Sequence, residues 1–214
     1  MEYRLHEDIL GHNILELSFP HVPSLAQKAV SVTAELELSS SKHLDILPNP
    51  AVWLTSERFI EVDDPRIREL ALTLRRQNAM DTARAIYDWV SGNLVYASYL
   101  ADDIGAVQVL VTRHGDCTEY ADLVVALARC CGICARMVGG YVVDRDMVVR
   151  SQDYHNWAEL YLEGSWQLVD AQKENWLEVV NQHYVAVRIY RDEPTNSVGV
   201  AHRYRVDGEL QVFL

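Results

Sequence analysis

The order of elements written into this chain predicts an α+β fold, with strands first, helices in the middle and strands again at the end. Three observations carry that prediction. Val30, Val32, Ala34, Leu36 and Leu38 alternate with polar or small residues, the period of a half-buried strand. Ile67, Leu70, Ala71 and Leu74 recur at the spacing of one helical face. Further on, "YHNWAELYLEGSWQLVD" alternates on both sides of Gly164, as a β-hairpin does.

Taken in order, residues 1–51 form a strand-rich region punctuated by "SSSK" and "PNP". Asp64 followed by Pro65 is a helix-start signal and opens the first helix. A second helix starts with Asp81 as its cap, lays down an apolar stripe of Ala83, Ile86, Tyr87 and Val90, and stops at Gly92. Helices and hairpin together make a core over residues 52–190. Val185, Val187 and Ile189 then alternate as a strand. Residues 191–214 are expected to pack on the core as a β-hairpin, with Tyr204 and Val206 facing Leu210 and Val212 across Asp207-Gly208.

Bulk properties narrow the function. At 214 residues and 49% hydrophobic, the chain can bury one sizeable core. Its 19 Lys and Arg stand against 31 Asp and Glu, and a net charge of -12 leaves no basic face to displace counterions from nucleic acid. The N-terminus "MEYRLHEDILGHN" lacks an apolar stretch of signal-peptide length, and no apolar run reaches membrane-spanning length. These features place the chain in the cytoplasm with reduced thiols, and away from membranes.

All four cysteines fall within "GDCTEYADLVVALARCCGIC". Asp116 is a good N-cap and Glu119 completes a capping-box spacing, so Cys117 sits in the first turn of a helix reaching about Cys131. Unpaired N–H groups and the positive helix end favour a thiolate there. Asp116 opposes them, so an imidazolium partner is required to make Cys117 a nucleophile. Standing alone, such a cysteine is more often a small core hydrophobe. Cys131 and Cys134 form a C-x-x-C at the far end, where Gly132 is suited to terminate the helix and Ile133 to fold back on it. A redox pair precedes a helix rather than following one, and a metal site would need a second ligand pair that the sequence lacks. No metal or cofactor is expected.

A two-residue loop at Glu163-Gly164 would pair Leu162 with Ser165 and Trp157 with Asp170, setting His155 and Asp170 on one face as diagonal neighbours. A loop one residue longer would send Asp170 to the other face. With the two together, the carboxylate orients one imidazole nitrogen while the other faces the thiol. His114 is tethered beside Cys117, and His183 and His202 lack a similarly placed carboxylate.

The segments "GDCTEYADLVVALARCCGICARMVGGYVV", "HNWAELYL" and "WQLVDAQ", in that order, resemble the bacterial transglutaminase-like family, from about Val52 to Ile189. The resemblance implies a papain-like α+β core whose central helix packs on an antiparallel sheet. By position it implies Cys117 as nucleophile, His155 as general base and acid, and Asp170 as orienting group. "IYDWVSGNLVY" also looks like the family pattern, making Tyr96 or Trp89 oxyanion-side candidates. Cys134 stands where the family usually has proline.

The expected function is cysteine-nucleophile acyl transfer on an amide or thioester of a peptide, protein or acyl-thioester substrate. The Cys117 N–H would be the first oxyanion donor. Protease- or amidase-like hydrolysis is preferred over transfer to an amine, since water needs no acceptor pocket. A non-catalytic binding module on the same fold is the rival of another class, and it must treat Cys117, His155 and Asp170 as coincidental.

Overall fold

In the computed structural model, residues 2–23, 25–36, 47–100, 102–177 and 183–192 are described. β1 (Glu2–Glu7) and β2 (Asn13–Ser18) form an antiparallel hairpin. The strand expected from Val30 is absent: residues 26–36 have no regular structure, and Val30 and Val32 are exposed. Alternation makes a strand only where a neighbour supplies hydrogen bonds and cover, and among the described residues none pairs with this stretch. Leu38 and the hairpin expected at Tyr204 to Val212 lie outside the described residues.

α1 (Pro65–Leu74) starts as its sequence indicates, with the Asp64 carboxylate accepting from the Arg66 N–H at 2.9 Å. α2 (Ala79–Asn93) begins earlier than expected because Asn78 is the cap; the Asp81 N–H donates to its side chain at 2.8 Å. Gly92 does not stop α2, which runs on to Asn93. β3 (Val95–Tyr96), α3 (Gly105–Thr112) and β4 (His114–Gly115) follow, with β3 and β4 paired in parallel. α3 was not visible in the sequence, since a short apolar run rich in β-branched residues fits a strand as well as a helix.

α4 (Cys117–Cys130) is buried on all sides from Thr118 to Arg129. α1, α2 and α3 cover one side of it through Ile67, Ile86, Val90 and Val109, and the sheet covers the other through Ala135, Ala158 and Leu160. A fully buried Val or Leu contributes about 1.5–3 kcal/mol, so Leu123, Val125 and Leu127 anchor this helix firmly. The sheet comprises β5 (Ala135–Val143), β6 (Tyr154–Leu162), β7 (Ser165–Asp170), β8 (Asn175–Trp176) and β9 (His183–Ile189) in the order β8-β7-β6-β5-β9, antiparallel throughout. This is the expected α+β arrangement of a central helix on an antiparallel sheet.

Candidate active site

The start of α4 is held by a dense set of hydrogen bonds. Asp116 accepts from the N–H groups of Thr118 at 2.8 Å and Leu100 at 2.9 Å. Glu119 returns the capping box by accepting from the Asp116 N–H at 2.9 Å, and it also takes the Ile104 N–H at 3.3 Å. Both carboxyls are buried. Burial, with Asp116 close by, pushes Glu119 up to about 7. Cys117 is thereby fixed at the first position of the helix.

Of the two registers open to its sequence, the β6–β7 hairpin takes the one with a two-residue loop. Glu163 and Gly164 have φ of 53° and 83°, the left-handed pair of a two-residue turn, and Leu162 pairs with Ser165. His155 and Asp170 consequently meet, Nε2 to Oδ2, at 2.6 Å. Asp170 also accepts the Tyr184 hydroxyl at 2.8 Å and the N–H groups of Gln172 and Lys173 at 3.1 and 3.0 Å. Burial would raise this carboxyl, but the His155 ring and the other donors hold it below its ordinary value. With Nε2–H donated to Asp170, Nδ1 is left as the acceptor nitrogen.

Asn156 joins the two halves of the site, a role that sequence reasoning missed. Its backbone N–H bonds the Cys117 sulfur, and its side-chain amide donates to Thr118 Oγ1 at 3.0 Å. Cys117 thus lies against the residue next to His155 and within electrostatic reach of Asp170. The only signal was the position of Asn156 between two residues of interest in "HNW".

Thiol acidity departs from the sequence expectation. Burial first, and then the Asp116 carboxylate, push Cys117 up to about 12, outweighing the Asn156 N–H that favours the thiolate. Both effects favour the thiol form and oppose the thiolate that the helix start favours. Burial also raises Cys130, Cys131 and Cys134. At their end of α4, Gly132 is left-handed at φ 84°; the Gly132 N–H bonds Arg129 O at 2.9 Å and the Ile133 N–H bonds Ala128 O at 2.9 Å. This is a Schellman cap, so "CGIC" is helix-end sequence. The Cys131 and Cys134 thiols face the carbonyls of Ala71 and Pro50, each at 3.5 Å.

Of the two oxyanion-side candidates, Tyr96 is the nearer in the fold to the thiol: it pairs with Gly115, two residues before Cys117, through β3 and β4. Trp89 lies on α2, its ring under the Arg113 guanidinium at 4.4 Å and packed against the helical core. Among the described residues, no cluster of three or more His, Cys, Asp or Glu is placed to hold a metal ion, and no helix is long and apolar enough to cross a membrane.

Residues 68–171 match the family model of the transglutaminase-like superfamily. This segment belongs to that superfamily. The transglutaminase-like core resembles a candidate cysteine protease from Cytophaga hutchinsonii, at 25% identity and a TM-score of 0.58 over 72% of this chain and 51% of that one. It also aligns with the periplasmic domain of TgpA from Pseudomonas aeruginosa, at 25% identity and a TM-score of 0.45 over 57% of this chain and 49% of that one. The chain therefore spans about half the length of these two structures. No curated protein sequence matches it. Members of the transglutaminase-like superfamily are usually cysteine enzymes.

Proposed function

We propose that this protein is a cysteine-nucleophile acyl-transfer enzyme in which Cys117 attacks an amide or thioester carbonyl, His155 moves the protons and Asp170 orients His155. The observation that carries this reading is the His155–Asp170 pair at 2.6 Å, with Cys117 held against the neighbouring Asn156 N–H. Burial favours the thiol form, and Nδ1 of His155 takes its proton as the sulfur–carbon bond forms. The imidazolium next gives that proton to the leaving amine as the tetrahedral intermediate collapses to a thioester. Water, deprotonated by His155, then releases the acid and restores the thiol. The Cys117 backbone N–H at the helix start and the Tyr96 hydroxyl are the donors assigned to the developing oxyanion. Trp89 takes no part in this scheme.

Hydrolysis is the preferred outcome, on peptide, protein or acyl-thioester substrates, because water needs no acceptor pocket. Incubating the protein with a panel of glutaminyl peptides, with and without a primary amine, and reading product masses tests this. Deamidated or cleaved peptide with the amine present supports a hydrolase. An amine adduct as the main product would replace that reading with transglutaminase-type transfer, and no product that depends on Cys117 would favour a binding module.

A further inference from the structure

The sequence places Val185, Val187 and Ile189 on one face of a strand, but β9 does not keep that period. Val138 pairs with Ile189 and Gly139 with Arg188, whereas Gly140 pairs with Ala186 and Val142 with Tyr184. One residue, Val187, is therefore extra, and it is exposed. Such a bulge inverts the faces of the strand beyond it. Without it, Val142 would pair with Val185 and Tyr184 would face the opposite side of the sheet. With it, Tyr184 shares the face of Gly140 and its partner His155.

Glycine permits the close approach at this point. A Cβ on Gly140 would collide with the Val185 carbonyl and lie 3.1 Å from the Trp157 ring. On the inverted face, the Tyr184 hydroxyl donates to Asp170 Oδ2, the same oxygen that binds His155, at 2.8 Å. Asn175, opposite Asp170 on β8, donates its amide to that hydroxyl at 2.6 Å. The Tyr184 ring meets Trp157 edge-on at 5.1 Å, and Trp157 stacks on His155 at 6.3 Å.

We propose that Tyr184, aimed by the Gly139–Gly140 bulge and backed by Asn175, is a positioning residue that sets how strongly Asp170 holds the His155 imidazolium. This rests on the Cys117–His155–Asp170 reading above. A hydroxyl that shares the charge on Oδ2 weakens the carboxylate as an acceptor for Nε2–H. Burial and Asp170 raise the Tyr184 hydroxyl far above its ordinary value, so it remains a donor throughout the working range. Facing Asp170 are the His155 ring from β6, the Tyr184 hydroxyl from β9, Tyr87 from α2 and Cys117 from α4.

The test follows Cys117 alkylation by iodoacetamide from about pH 5 to 9, read by peptide mass mapping, and needs no substrate. With the thiol raised to about 12, alkylation in that range needs a base to take the Cys117 proton, which the reading above assigns to His155. Removing the Tyr184 hydroxyl leaves Asp170 a stronger partner for imidazolium, so Tyr184→Phe should move the acid limb up by roughly 0.5 pH unit. Asn175→Ala, which leaves Tyr184 in place, should move it the same way by less. Asp170→Asn should move it down. A Tyr184→Phe limb that coincides with wild type, or moves down, while His155→Ala and Asp170→Asn change it, overturns the role of Tyr184. A His155→Ala profile identical to wild type overturns the underlying reading instead. Thermal melts of each variant within a few degrees of wild type show that the limb does not report unfolding.

Discussion

Both ends of α4 carry thiols, and their surroundings have little in common. At the N-terminal end, two buried carboxyls close the cap, and β6 brings the Asn156 N–H to the sulfur with the His155–Asp170 pair one residue away. At the C-terminal end, a left-handed glycine closes the cap and the thiols of Cys131 and Cys134 meet main-chain carbonyls. Carbonyls accept a weak S–H bond but cannot take the proton away. A cysteine is made into a nucleophile by the base that the fold brings to it, and neither helix position nor a C-x-x-C spacing supplies one.

The largest expected contrast between the ends is in turnover. Cys117→Ala should lower it by roughly 10⁴-fold or more on whichever glutaminyl peptide is processed, as loss of a nucleophile does. Cys131→Ala and Cys134→Ala should leave it within about twofold. A dead Cys134→Ala alongside an active Cys117→Ala would reverse the assignment of the two ends.

The next contrast is in the pH dependence of stability, which only the N-terminal end should show. Glu119 keeps its proton to about 7 in the folded chain, against an ordinary value of 4.5. Its folded-state pKa is raised, so stability from this group is greatest below 4.5 and falls as the pH climbs to 7, by up to about 3 kcal/mol. Glu119→Gln, which keeps one of the two acceptors, should lower stability by a constant amount and flatten that slope. Denaturant midpoints measured at several pH values check this, and an unchanged slope would remove Glu119 from the account. Asp122, buried on the same helix and also raised well above its ordinary value by burial, contributes in the same direction and would remain in the variant.

The smallest contrast sets the glycines of the two caps against each other. A Cβ on Gly115 would lie 2.7 Å from Glu119 Cβ and 2.9 Å from Val109 Cγ2, both in packed surroundings. Gly115→Ala should cost about 2–3 kcal/mol as overpacking. A Cβ on Gly132 meets nothing within 4 Å, so Gly132→Ala pays only for its left-handed backbone, about 1 kcal/mol. Thermal melts giving the reverse order would mean that the two caps are not held as described.

Local patterns were the legible part of this molecule. The Asp116–Glu119 capping box, the Gly132 terminator and the Glu163-Gly164 turn each depend on a few neighbouring residues, and all three appear as written. The turn had long reach: it set the β6–β7 register, and with it the meeting of His155 and Asp170. Local signals missed the ends of α2, where Asn78 rather than Asp81 is the cap and Gly92 does not stop the helix, and larger failures came where a pattern needed a distant partner. The alternation from Val30 to Leu36 had no strand to pair with among the described residues, and α3 gained its helical form inside a core that its own eight residues do not specify.

The sequence by itself determined which helix would carry the thiols and where that helix starts and stops, and it narrowed the meeting of His155 and Asp170 to one choice of loop length. Those outcomes follow from hydrogen bonds spanning a few residues and from the two-residue period of a strand. Tertiary structure alone decided the burial that raises the Cys117 thiol, the tie through Asn156 and the arrival of Tyr184 at Asp170. Each of these depends on burial or on contact between distant segments. Desolvation reflects everything packed around a group, and a one-residue bulge between β5 and β9 is stable only because Gly140 lets another strand come close.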